Sequence, residues 1–166
     1  MSQTFDFSLA CDLKPDTPQQ TLDALRFMIR KEDYEFNNPP PHPFFRVHDY
    51  WKSWFTYSIN LFPGEYGAVL RNAKVYAGHP DENGNWPMTR ITFSVRVGVH
   101  DDVFYDTTYF FLDWLAGYSE TQGFVGYYQG NYVDHPALIY FKDGKAYIMR
   151  PKGELRIITL PTDNFE

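Results

Sequence analysis

The sequence predicts a single α+β domain, and three observations carry that expectation. Two stretches alternate apolar and polar residues with period 2, two others repeat apolar residues at helical spacing, and an Asp-Gly pair lies between two runs of strand formers. A chain of 166 residues has the size of one domain and buries most of the surface its unfolded form exposes. Apolar residues make up 43% and charged residues 22%, as in ordinary globular proteins, but aromatics reach 19%, so ring packing must supply much of the core.

Phe5, Phe7, Leu9, Cys11 and Leu13 alternate with Asp6, Ser8, Ala10 and Asp12, which predicts a strand with one buried and one polar face. In "DTPQQTLDALRFMIR" Thr17 is placed to cap, Pro18 fits the first helical position, and Leu22, Leu25, Met28 and Ile29 share a face, predicting a helix over 18–31. Residues 32–64 form a Pro- and aromatic-rich crossover insertion, because consecutive prolines cannot continue a helix. Within it Asp49 can cap a short turn carrying Trp51, Trp54 and Phe55 on one face. Residues 66–77 and 89–99 predict a strand pair joined by the turn-rich "GHPDENGNWP". Asp101 or Asp102 then opens a second helix with Phe104, Thr108, Phe111, Leu112 and Leu115 in register, and Gly117 is placed for a left-handed C-terminal cap. "GFVGYYQG", the hairpin around Asp143-Gly144 and "ELRIITL" complete an antiparallel C-terminal third.

This order, β-α-crossover-β-β-α-β followed by a hairpin, is the ferredoxin-like plan of two split βαβ units with extra C-terminal strands and both helices on one face, within a single domain 1–166. It predicts that the first strand and the 89–99 strand lie side by side and parallel at the centre of the sheet. Asp6 and Asp12 are spaced as Arg90 and Arg96 are, so their charges can pair between strands. Ser8, Asp12, Arg90, Thr92, Ser94 and Arg96 make that sheet face too polar for a dry core.

Two roles for "PPPHPFFRVHDYWKSWF" (residues 39–55) follow. The crossover can fold across the polar face, setting Trp51, Trp54 and Phe55 against Arg90, Arg96, His100 and Tyr127 as an apolar pocket with polar anchors. Alternatively, its rings complete the core and the prolines stiffen the path.

Net charge is −6 and the basic residues are scattered, which argues against nucleic acid as a partner. No apolar run is long enough to span a bilayer, and no membrane partner is expected. A single cysteine and an N-terminus without signal-peptide character point to the cytoplasm. Five histidines are spread singly, so neither a metal nor another cofactor is expected, and "DENGN" lacks the glycine and glutamate of a calcium loop. Of the pairs His48-Asp49, His100-Asp101 and Asp134-His135, His100 is best placed, although a surface histidine at a helix entry is the favoured explanation for it. Cys11 reads as a small buried hydrophobe, and the glycines at 123, 126 and 130 as bulges or twist. Tyr127, Tyr128 and Tyr132 suit a ligand or a partner chain.

The leading functional expectation is a non-catalytic small-ligand-binding or structural module, homodimeric, using the open sheet face and the crossover. The second is a small-molecule enzyme with His100 or His48 beside Arg90 or Arg96. A third, an inhibitor-type interaction protein, rests only on acidity and exposed rings.

Overall fold

The computed structural model describes residues 2–29, 36–55, 62–75, 82–84, 88–150 and 155–158. Its elements are β1 (Thr4–Leu13), α1 (Gln19–Ile29), two 3₁₀ turns (Pro43–Phe45 and Asp49–Lys52), β2 (Gly67–Val75), β3 (Met88–His100) and α2 (Asp101–Ala116), then β4 (Gly123–Gly130), β5 (Ala137–Lys142), β6 (Lys145–Met149) and β7 (Leu155–Ile157). All seven strands join one open antiparallel sheet in the order β2-β3-β1-β4-β5-β6-β7. The architecture is α+β, as the alternating periodicities imply. No described helix is long and apolar enough to cross a membrane.

The expected parallel pairing of β1 with β3 is overturned: Phe7 lies opposite Val97 in an antiparallel ladder from Thr4–His100 to Leu13–Ile91. The reason is connectivity. β3 pairs antiparallel with β2 and lies between β2 and β1. A crossover helix returns β2 parallel to β1, so the strand inserted between them runs against both.

Alternation sorts the strands as expected. Phe5, Phe7, Leu9, Cys11 and Leu13 of β1 and Phe93, Val95, Val97 and Val99 of β3 are all buried on one side. Phe104, Phe111, Leu112 and Leu115 of α2 and Leu25 and Met28 of α1 are sealed in the same core. Phe111 is its hub, in ring contact with Phe7, Phe44, Trp54, Phe55, Phe93 and Trp114.

Phe44, Phe45, Trp51, Trp54 and Phe55 place the middle of the crossover on this covered side, whereas Gly64 at its end lies beside Arg96. Trp54 packs on Phe7 at 5.4 Å and on Phe111 at 4.6 Å, while Trp51 meets Phe45 at 5.0 Å and Phe27 at 5.6 Å. His42 ties the segment to α2 through Asp113 at 3.1 Å, and burial holds its ring below the ordinary histidine pKa despite that partner. The fit is not free of cost, since the indole N–H groups of Trp51, Trp54 and Trp114 and the Thr108 hydroxyl are buried without a hydrogen-bond partner.

Smaller differences have local causes. α1 begins at Gln19, with the Pro18 carbonyl accepting from Thr21 and Leu22, while the Thr17 hydroxyl donates to the Lys14 carbonyl. The expected end of α1 at residue 31 lies outside the described residues, as does most of the 78–87 loop. His48, not Asp49, occupies the cap position of the second 3₁₀ turn, and Asp49 pairs with Lys52 instead. Gly117 is right-handed at φ −61, so no left-handed cap forms, whereas Asp143 and Gly144 are both left-handed (φ 52 and 72), as a tight hairpin turn requires. At the β4 bulge a side chain on Gly126 would collide with the Ser8 carbonyl, which only glycine avoids.

Burial pushes the Cys11 thiol up to about 12. Native protein is therefore expected to resist thiol alkylation at mildly alkaline pH and to react only when denatured; rapid labelling of the folded chain would contradict the burial of the odd face of β1.

Candidate functional site

The even side chains of β1 and β3 point to the other side of the sheet, which no described helix covers. Antiparallel register places Asp6 opposite Gly98 and Asp12 opposite Thr92, so Arg96 and Arg90 each stand one diagonal step from a carboxylate. The charge complementarity expected from spacing is realised with partners fixed by strand direction: Asp6 with Arg96, Asp12 with Arg90.

The two pairs are unequal. Asp6 is 3% exposed and takes a forked pair of bonds from Arg96, Nε to Oδ1 at 3.0 Å and Nη2 to Oδ2 at 2.9 Å. Tyr127 donates its hydroxyl to the same Oδ2 at 3.2 Å, and the guanidinium lies 4.9 Å from the centre of the Tyr66 ring. Tyr66 is itself anchored on the Phe62 carbonyl, 3.2 Å away. Burial, then the Asp6 charge, raises the pKa of both tyrosines, and the hydrogen bonds to Asp6 raise that of Arg96 further. Gly64 closes the clamp: its φ is +105 and an added Cβ would sit 2.6 Å from Arg96 Nη1. Arg90, by contrast, makes one 3.0 Å contact with Asp12, both side chains being partly in water.

Beyond β1 the same side changes character. Pairing puts Tyr127 beside Leu138, Phe124 beside Tyr140, Tyr140 beside Tyr147, Leu138 beside Met149, and Leu155 and Ile157 at the far edge. Phe124 is 55% exposed, Leu155 60% and Ile157 47%. The open side is thus polar over β3 and β1 and apolar over β4 to β7, while the edge strand β2 presents Val69, 49% exposed, and Ala73 around a single Arg71.

Arg90, Arg96 and Tyr127 share this open side as expected. Trp51 and Trp54 do not, because their rings are committed to Phe27, Phe45, Phe7 and Phe111 on the covered side. The pocket that was to join them to the arginines therefore does not form, and the core-completing role of the crossover is the one realised. His100 lies four residues beyond Arg96 on one strand, roughly 13 Å away, too far to share a small substrate.

His100 instead starts α2. Its Nδ1 accepts from the Asp102 N–H at 3.4 Å, and the Asp101 carboxylate accepts from the Gln3 N–H at 3.0 Å, which lowers the Asp101 pKa. These three side chains are the one group of metal-type donors found together among the described residues, and their contacts are those of a helix start. His48 approaches Asp106 only at 3.9 Å, both exposed. No histidine–arginine pocket follows from these positions.

Sequence reasoning missed Tyr66 and Gly64, which lie in the irregular approach to β2, and the apolar half of the open side. Signals existed for the latter: positions 138 and 140, 147 and 149, and 155 and 157 hold apolar or aromatic residues at period 2, in phase with the turn at Asp143-Gly144. Set against known protein families, curated proteins and solved structures, the chain matches none of them.

Proposed function

We propose that this chain is a non-catalytic binding module that works as a homodimer, two copies meeting through the open faces of their sheets. One observation carries the reading: Phe124, Leu155 and Ile157 are exposed on a single sheet side, continuous with Leu138, Tyr140, Tyr147 and Met149. Contiguous exposed apolar surface of this kind marks an interaction site.

The occupant follows from size, symmetry and charge. Seven strands about 4.8 Å apart and about 20 Å long give a face of roughly 700 Å², close to the roughly 800 Å² per partner of a standard interface. A two-fold axis in the plane of contact and perpendicular to the strands sets β5 over β5, apolar half on apolar half, polar on polar. Asp6–Arg96 and Asp12–Arg90 are paired within the chain, so among the described strand residues of the polar half only Arg71 is left without a carboxylate, and little net charge is offered to a charged partner. The ferredoxin-like plan is part of the same proposal: the order β2-β3-β1-β4 with α1 and α2 between split strands supports it, and β5 to β7 enlarge the sheet toward the interface.

Sedimentation equilibrium of the full chain tests the reading. The native protein is expected at twice the mass of one chain, and Tyr140→Lys at the mass of one, with unchanged far-UV circular dichroism. Monomers at every concentration, or a dimer indifferent to Tyr140→Lys, would refute it.

A further inference from the structure

A second site lies on the covered side of the sheet, beside the first turns of α2, and owes nothing to the open face. It is a cavity of about 170 Å³ with Phe5, Tyr105 and Val133 as apolar walls and Tyr128, His135 and Arg150 as polar ones. Its volume equals that of about five or six liquid waters at ~30 Å³ each, enough for a small organic molecule and too little for a nucleotide.

Arg150 sets the chemistry. Arg26, Lys52, Arg90 and Arg96 each hold a carboxylate, whereas among the described residues Arg150 pairs with none. It lines the cavity beside Tyr128, whose hydroxyl lies 3.1 Å from that of Tyr109. Burial drives the Tyr128 pKa up, so that hydroxyl keeps its proton and stays a donor. One hydroxyl proton serves the contact between the tyrosines, and the other remains to be given. A guanidinium fork, a phenol donor and aromatic walls in one small hollow form a donor-rich site beside apolar surface.

We propose that this cavity binds a small monocarboxylate with an apolar body, its carboxylate held by Arg150 and a tyrosine hydroxyl and its body against Phe5, Tyr105 and Val133. The count of charges selects the class. One guanidinium matches one negative charge, and Asp101, bonded to the N–H of the cavity residue Gln3, disfavours a dianion such as phosphate. Arg150 is exposed at the rim, so a ligand has a way in.

Titration of the full chain with benzoate, followed by amide chemical shifts, tests this. Saturable shifts at Gly130 and Val133 are expected, with a Kd in the millimolar range, the scale open to so small a ligand. Arg150→Gln should weaken binding at least tenfold, Arg150→Lys should fall between it and the native chain, and Tyr128→Phe should weaken it severalfold. Benzyl alcohol, of like shape without charge, should not saturate. No saturable shift with benzoate, equal binding by folded Arg150→Gln, or tighter binding of inorganic phosphate would each overturn the proposal. Tyr140→Lys should leave the titration unchanged, so the failure of either proposal is separable from the other.

Discussion

Phe111→Ala is expected to destabilise the chain by about 3–5 kcal/mol, the usual cost of emptying the space of a fully buried phenylalanine. Few substitutions here should cost more. The ring is fully enclosed and touches six others drawn from α2, β1, β3 and the crossover. Losing it therefore loosens the joint where helix, sheet and insertion meet. Against a total stability of roughly 5–15 kcal/mol for a domain, the variant should unfold at much lower urea or fail to accumulate. Its native tryptophan emission should also change, because Trp54 and Trp114 lose a ring neighbour. Tyr50→Ala, at a ring 48% exposed, is the control. Equal midpoints for the two variants would refute the placement of the crossover on the core.

Asp6→Ala should cost about 2 kcal/mol, and Asp12→Ala less than about 1 kcal/mol, although the two carboxylates occupy equivalent diagonals in one ladder. The difference lies in solvent. Removing Asp6 strips Arg96 of both its forked bonds and Tyr127 of an acceptor, in a place where the Asp6 side chain is only 5% exposed. The Arg96 side chain keeps 27% of its surface in water, which holds the cost below that of breaking a fully buried pair. Arg90 and Asp12 are solvated at 45% and 27% and lose little when parted. Urea unfolding in the Tyr140→Lys background, where the open side faces water, measures both without the concentration dependence of a dimer's midpoint. Equal effects would mean that Asp6 is not buried as described.

What was legible in the sequence follows from how local the signals are. Period 2 in residues 5–13 and 89–99 and period 3.6 around Phe104 and Phe111 identify the elements and their buried faces, because each pattern reports one element against one core. Asp143-Gly144 identifies its hairpin because few residue pairs accept two left-handed conformations. Strand direction is not a local property. The Asp6/Asp12 and Arg90/Arg96 spacings are compatible with parallel or antiparallel pairing, and only the path through β2 decides between them. The crossover was open for a similar reason: helical spacing of Trp51 and Trp54 favours a core over a ligand pocket, but the choice depends on which side of the sheet has space. The Arg150 cavity was out of reach, since it gathers Phe5, Tyr105, Tyr128 and Arg150 from four separate parts of the chain.

The central claim is that the sheet has one side closed by the chain's own helices and crossover and another closed by a second copy. Pulsed dipolar spectroscopy on spin-labelled Ser94→Cys is its most direct test, as Cys11 is buried and should stay unlabelled. Packed sheets lie about 10 Å apart, so labels on the facing sides should lie within roughly 30 Å of each other, while labels on Asp106→Cys, on the outer helices, should be clearly farther apart. The absence of any dipolar signal from Ser94→Cys at concentrations where the chain sediments as a dimer, or a shorter distance from Asp106→Cys, would contradict it.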